Sequence, residues 1–418
     1  MTEPLFPPTR AAGLARMAEF HASMGRIYAG QRNYDYGPAN RSNVSLLSPY
    51  LRTRLLTEEE VIRAVLQRFS LSSAEKFVQE VCWRTYWKGW LEHNPQIWSD
   101  YCVERASAYR SLEKDGALAS EVATATNGQT GIAVFDAWMK ELEDTGYLHN
   151  HARMWVSSIW IFTLGLPWVL GADHFLQHLI DADPASNTLS WRWTAGLQTR
   201  GKTYLARAAN IEKYAEDRFR RELGGGWQSG LDRLAPTAPP LAGYVPPAPR
   251  PLRPNTALPD APFGLVLTED DLHPLSLLPT AARPIGIAGF ALPQYRSPKG
   301  VGAPAQAFAE NAVSYATSSA ASVFGCDQTK IDVSASLSEQ LIAFASDIGV
   351  SKLIIAQTPI GWSRQEVDTI TERLAQNQIS LIELRRDWDA AFWPHATKGF
   401  FKLKKAIPRV LTDLGLTA

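Results

Sequence analysis

The sequence predicts an α plus α/β architecture: a helical domain over residues 1–225, a proline-rich linker over 226–262, and a smaller doubly wound parallel α/β domain over 263–418. Three observations carry this. Between Ala11 and Arg221 apolar residues recur at spacings of three and four, the period of an amphipathic helix. The stretch Leu234–Pro262 is dense in proline, including Pro239, Pro240, Pro246, Pro247, Pro249 and Pro251, a composition that favours extended, semi-rigid chain. Beyond it, short apolar runs alternate with helical segments, as in a parallel sheet covered by helices.

In chain order, Glu58–Phe69, Ala74–Leu91 and Ile132–Leu142 show the helical period most clearly. Met154–Ala172 is the longest apolar stretch and approaches the ~20 residues of a bilayer span. Pro167 interrupts it and Arg153 and Asp173 bound it, so a buried core helix is expected and a membrane span is not. After the linker, Gly264–Thr268, Ile285–Phe290, Lys352–Ala356 and Ser380–Leu384 read as short buried strands. Ala305–Phe324, Leu337–Ile348 and Arg364–Gln376 read as the helices between them. No glycine-rich phosphate loop accompanies these strands.

Charge and cysteine content narrow the function classes. Divided at Gly225, the chain has 25 basic and 25 acidic residues before that point and 17 of each after it. Affinity for duplex DNA draws on phosphate neutralisation, so any nucleic-acid site here must be local or assisted by a pocket. Cys82, Cys102 and Cys326 are odd in number and far apart, which argues against a disulfide framework, a zinc site or a four-cysteine cluster. A reducing cytoplasm is the expected compartment. The N-terminal MTEPLFPPTR has no apolar signal core.

The segment Thr145–Trp193 concentrates chemistry: Arg153 with Asp181 and Asp183, the amides Asn150 and Asn187, and the indoles Trp191 and Trp193. Charges set among so many rings need partners, since burying them alone costs several kcal/mol. A structural salt-bridge network under an aromatic core is one reading. The order Gly-Tyr-x-His-Asn-x-x-Arg-Met from Gly146, then Asp-x-Asp-x-x-x-Asn-x-x-x-Trp-x-Trp from Asp181, gives the other. It resembles the flavin pocket of the photolyase/cryptochrome family. Earlier segments agree in order: Tyr28 in Tyr-x-x-x-Arg, Ser45-Leu-Leu-Ser-Pro, and Glu80-Val-Cys-Trp-Arg. The resemblance covers nearly all of residues 10–215.

This resemblance implies a photolyase-type helical domain that binds FAD. Tyr28, Ser45, Leu47 and Ser48 would hold the diphosphate and Arg84 would add charge. Phe77 stands near the cofactor where many relatives have tryptophan. Arg153 paired with Asp181 would lie beside the flavin, Asp183 at its sugar and pyrimidine edge, and Asn187 at N5. An asparagine there is similar to photolyases, whereas plant cryptochromes have aspartate and animal ones cysteine. Glu80, Trp83, Asn150, Met154 and Trp193 correspond to the pocket for a cyclobutane dimer flipped out of the stack. Trp83 and Trp193 would stack, Met154 would pack and Glu80 would hydrogen-bond the pyrimidine. The (6-4) photolyases are similar to a two-histidine pocket instead. His149 and His151 flank the site, and ordinary structural histidines are expected there.

Trp191 and Trp168 match the first two members of the family's electron-carrying tryptophan chain. The third position falls near Ala125, which leaves Trp160, Trp155 or Trp138 as other routes or as core packing. Val44 and Leu46 replace a threonine and an arginine, and His151 replaces an arginine that contacts DNA phosphate in some relatives. Residues 336–384 weakly resemble the family's antenna domain, here placed after the flavin domain, and Lys398–Pro408 its exit. A circular permutation and an unrelated α/β domain both remain open. Asp270, Asp271, Arg385, Trp388 and Trp393 are expected at its carboxyl strand ends, and no antenna chromophore is identified. The expected function is light-driven repair of pyrimidine dimers in UV-damaged DNA, single-stranded or locally opened. The alternative is a cryptochrome-like blue-light receptor.

Overall fold

The structure, a computed structural model, describes residues 4–199, 202–238 and 248–417. Of the linker prolines, Pro239, Pro240, Pro246 and Pro247 lie outside the described residues.

Among the described residues twelve α-helices build the N-terminal half: α1 Arg10–Phe20, α2 Arg26–Gln31, α3 Ser48–Arg52, α4 Glu58–Arg68, α5 Glu75–His93 and α6 Gln96–Lys114, then α7 Gly116–Thr126, α8 Ala133–Thr145, α9 Asn150–Ser158, α10 Trp168–His178, α11 Pro184–Thr194 and α12 Ala208–Leu223. Local chemistry sets several starts. Thr57 and Glu60 form a reciprocal capping box on α4, Asp115 accepts from the first amides of α7, and Asp183 accepts from Ser186 N at the head of α11, where Pro184 supplies a preset φ.

The apolar stretch Met154–Ala172 is not one helix. α9 ends in a π-helical turn, Ile159–Thr163, and α10 begins afresh at Trp168. Gly165 adopts φ +69°, which glycine tolerates without a Cβ clash, and Pro167 has no N–H to continue the ladder. The break turns α10 back so that α11 packs on it.

The second half contains β1 Gly264–Thr268, α13 Pro274–Leu277, β2 Gly286–Phe290, α14 Ala303–Phe324, β3 Asp327–Lys330, α15 Leu337–Asp347, β4 Lys352–Ala356, α16 Trp362–Gln376, β5 Ser380–Leu384, α17 Asp387–Phe392 and α18 Phe400–Asp413. Its five strands pair in parallel in the order β3-β2-β1-β4-β5, a doubly wound sheet. β3 is absent from the sequence reading: its residues Asp-Gln-Thr-Lys are all exposed and polar, as an edge strand can be.

The linker starts later than the sequence suggests. Trp227 and Leu231 are buried in the helical core, with Trp227 stacked over Phe219 at 6.5 Å. Its far end is anchored too, since Arg250 N donates to His93 O at 2.7 Å.

The carboxyl strand ends are not an open crevice. Arg52, on α3, enters there: its Nε donates to Ala182 O (2.6 Å), Nη1 to Glu269 O (2.9 Å), and Nη2 lies 3.0 Å from Asp270. Arg54 donates to both oxygens of Asp389 (2.7 and 2.8 Å) and to Asp271 (3.2 Å), and Arg386 also grips Asp271. Glu92 of α5 accepts from Ile360 N at 2.9 Å. Trp388 donates to Thr85, and Arg385 Cζ sits 5.4 Å over the ring of Trp393. The residues expected to line a crevice therefore join the two halves of the chain. Buried ions of this kind hold their pairing because a lone charge would be costly.

Candidate functional site

α11 packs against both α5 and α9, and these three helices carry most of the predicted site. Arg153 Nη2 lies 2.9 Å from Asp181 Oδ2, the pairing expected from the sequence, and Arg153 Nε caps Leu148 O at 3.0 Å. Burial alone would raise the pKa of Asp181; the Arg153 guanidinium, the Ser48 hydroxyl and the Arg84 charge hold it below the usual carboxylate range. Asp183 is likewise held low against burial, by Arg84, Lys88 and Arg52. Arg84 Nη1 stands 3.8 Å from Asp183. Tyr147 ties in a second arginine, with Arg41 and Arg153 at 4.7 and 5.3 Å from its ring centre.

Two buried atoms of this cluster, Arg84 Nη1 and Asp181 Oδ1, have no hydrogen-bond partner among the described residues. A cation with a spare donor beside a carboxylate with a spare acceptor suits a ligand that carries both phosphate and hydroxyl or ring N–H groups. Asn187 donates through Nδ2 to Ala172 O (2.8 Å), which fixes the orientation of its amide. Phe77 packs edge-on against Tyr28 at 5.0 Å, so these two residues form an aromatic wall. Ser45 is half-buried beside buried Leu47.

The candidate lesion residues sit nearer the surface. Glu80 is 38% exposed and its carboxylate lies 3.5 Å from Arg32. Asn150 is exposed at the head of α9, Met154 is half-buried one turn further on, and Trp193 stacks on Tyr204 at 5.6 Å. Trp83 departs from expectation. Phe400 of α18 stacks on its indole at 3.7 Å and 12°, so one face is taken by the chain itself and a base could reach only the other.

Each of the two histidines is held by a neighbouring group. His149 Nδ1 accepts from His151 N at 3.2 Å and caps α9, and burial pushes its pKa down to about 4. His151 stacks on Trp155 at 4.0 Å, with Nδ1 3.0 Å from Asn33 O.

Trp191 and Trp168 are both buried. A Cβ on Gly171 would lie 2.3 Å from the Trp191 ring and 2.9 Å from Trp160, so glycine is what lets both indoles reach α10. Trp160 meets Trp191 edge-on at 6.4 Å. Trp138 and Trp155 instead stack on each other at 5.2 Å, and their indole N–H groups bond Asp35 and Asn210. Ala125, at the missing third position, is fully buried. From Trp168 the rings continue to Tyr101 (5.7 Å) and on to half-buried Trp98 (5.3 Å). Sequence reading missed this pair; the only signal was their spacing of three on one helix.

Residues 77–219 match the family model for the FAD binding domain of DNA photolyase. Similar proteins include the deoxyribodipyrimidine photo-lyase of Streptomyces griseus, 36% identical over 156 residues, which are 37% of this chain and 32% of that protein. The deoxyribodipyrimidine photo-lyase of Synechococcus sp. is 32% identical over 198 residues, 45% of this chain and 39% of that protein. The chain thus spans well under half the length of these relatives. Among solved structures, a bacterial class III photolyase from Agrobacterium tumefaciens aligns with TM-score 0.42 and 26% identity over 52% of this chain and 45% of that one. A cryptochrome from Synechocystis sp. aligns with TM-score 0.43 and 24% identity over 53% and 48%.

Proposed function

We propose that this chain, whose residues 77–219 are similar to the FAD binding domain of DNA photolyase, repairs cyclobutane pyrimidine dimers in light, taking them from single-stranded or locally opened DNA. The observation that carries this reading is the placement of Glu80 and Trp83, partly exposed on α5, on the helix that also supplies Arg84 to the Arg153–Asp181–Asp183 cluster.

Reduced FAD, when bound and excited, supplies the electron that splits the dimer. The chain's own residues do the rest. Arg84 and Ser48 would hold phosphate oxygens, and Ser45, Leu47 and Tyr28 would complete that cradle. Arg153, fixed by Asp181, offers a preorganised positive charge to an electron-rich ring. Asn187, its amide fixed on Ala172 O, would face the flavin N5. Glu80 would hydrogen-bond a flipped pyrimidine, and in the protonated form that burial favours this bond would stabilise the base as it gains an electron. Asn150, Met154 and the Trp193–Tyr204 stack line the approach, while the Phe400-backed indole of Trp83 offers one stacking face.

The neutral charge balance of the helical half supports a preference for unpaired over duplex DNA, because few phosphates would be neutralised. A blue-light receptor is the second reading, favoured by Ala125 at the third tryptophan position. Illumination of the reduced protein with a dimer-containing oligonucleotide separates the two. Restored thymines, lost in Glu80→Ala, support repair; no repair of either single or double strands leaves the receptor.

A further inference from the structure

The whole chain is neutral, but its last helix is not. Between Lys398 and Arg409 there are five cations, Lys398, Lys402, Lys404, Lys405 and Arg409, and no acid. α18 buries Phe400, Leu403, Ile407, Val410 and Leu411 and turns Phe401, Lys402, Lys405 and Arg409 outward. Phe401 is 76% exposed, a large apolar side chain left in water on a basic surface.

Where the helix lies gives that surface its meaning. α18 packs along α5, with Phe400 on Trp83 at one end and Lys404 Nζ 3.1 Å from Glu75 at the other. On α5 the residues Lys76, Glu80, Trp83 and Trp87 follow one another at helical spacing along one face. Trp83 and Trp87 are both half-buried, with ring centres 5.2 Å apart. A track of aromatic rings bordered by lysines is the chemistry that holds single strands: bases stack on rings and phosphates meet cations. An anionic membrane would also meet the lysines. The apolar face it would need, however, is already committed to the protein core, and only Phe401 remains to insert.

We propose that the start of α18 and the Lys76–Trp87 face of α5 form a binding track for single-stranded nucleic acid, in which Lys398, Lys402 and Lys405 contact phosphates and Phe401 stacks on a base. The proposal rests on the DNA-repair reading and adds to it the surface that recruits the strand.

The test is fluorescence anisotropy with a labelled, undamaged oligothymidylate of about 12 nucleotides, within the range one such surface spans. It uses the full chain, Lys398→Gln/Lys402→Gln/Lys405→Gln and Phe401→Ala, each over a salt series. Neutralising three phosphate contacts is expected to flatten the log–log salt slope by about 2. Phe401→Ala is expected to weaken binding roughly 5- to 100-fold with the slope unchanged. Two outcomes overturn the proposal: wild-type affinity and slope in both variants, or binding of phosphatidylserine vesicles by the full chain with no oligonucleotide binding. Dimer repair measured on the same proteins keeps the two readings apart. Loss of strand binding in the variants without any repair by the full chain sinks the repair reading alone; repair with unaltered strand binding in the variants sinks this one alone.

Discussion

Arg153→Met removes a guanidinium and keeps most of its apolar stem. Asp181, whose side chain is 2% exposed, would then rely on the Ser48 hydroxyl and on the charge of Arg84. Removing one partner of a buried ion pair costs about 3–5 kcal/mol. Arg153 is 24% exposed and Arg84 remains, so a loss of about 2 kcal/mol at neutral pH is the reasoned figure. Its pH dependence carries the sharper test. In the wild type Asp181 titrates below its unfolded value of about 3.9, so its contribution is complete above that pH and is lost as pH falls through the folded value. In the variant the desolvation that Arg153 overcame prevails, and the folded pKa rises above 3.9. The carboxylate then opposes folding at neutral pH, and protonation relieves it. The gap between the proteins should therefore be widest near pH 7 to 8 and shrink towards about pH 4. Urea unfolding across that range measures it, and flavin absorbance per protein gives the second readout, falling in Arg153→Met and recovering in Arg153→Lys. A penalty that stays constant from about pH 4 to 8 would refute the reasoning.

Phe400→Ala removes a ring that is 5% exposed and should cost about 3–5 kcal/mol while moving tryptophan emission to the red as Trp83 gains water. A loss under about 1 kcal/mol would mean the stack on Trp83 does not form in solution. Arg218→Met strips a guanidinium from Asp35, Glu141 and Glu222, though Asp35 keeps Trp138 and Glu141 keeps Arg41. About 3 kcal/mol of stability should go, and α12 amides should exchange fastest; unchanged exchange there argues against the network. Trp98→Phe and Tyr101→Phe should each slow light-driven reduction of the flavin by an external thiol without changing flavin content. Wild-type rates in both would return the electron exit to Trp160.

The pairing of Arg153 with Asp181 was legible through the family resemblance; one lies within α9 and the other lies two residues before the cap of α11. β1, β4 and β5 were legible as short apolar runs with turn residues around them. What escaped has a weak local trace or none. β3 pairs through backbone alone and has four polar exposed residues. The break at Gly165–Pro167 was visible as punctuation, but the surrounding apolarity outweighed it. Phe400 meets Trp83 from the far end of the chain, and nothing in the period of either helix announces a partner so distant. Arg52 carries no signal in the sequence, and only the fold shows it buried among carbonyls and carboxylates.

That last residue bears on the antenna question. In a doubly wound sheet a ligand belongs at the carboxyl ends, where strand order reverses, here between β1 and β4. Arg52 reaches Glu269 O and Asp270 just beyond β1, and Glu92 and Arg253 reach Ile360 N and Thr358 O beyond β4. A chromophore at the switch point would have to displace Arg52 and leave Asp270 buried without its cation, at a cost of about 3–5 kcal/mol. That penalty weakens binding by roughly two to four orders of magnitude. The purified chain should therefore carry one chromophore, the flavin, and titration with a second flavin or a pterin should show no saturable site that Arg52→Met strengthens. A second chromophore bound stoichiometrically, and more tightly in Arg52→Met, would show that the arginine is a gate at the switch point and that the strand ends had kept their ligand site after all.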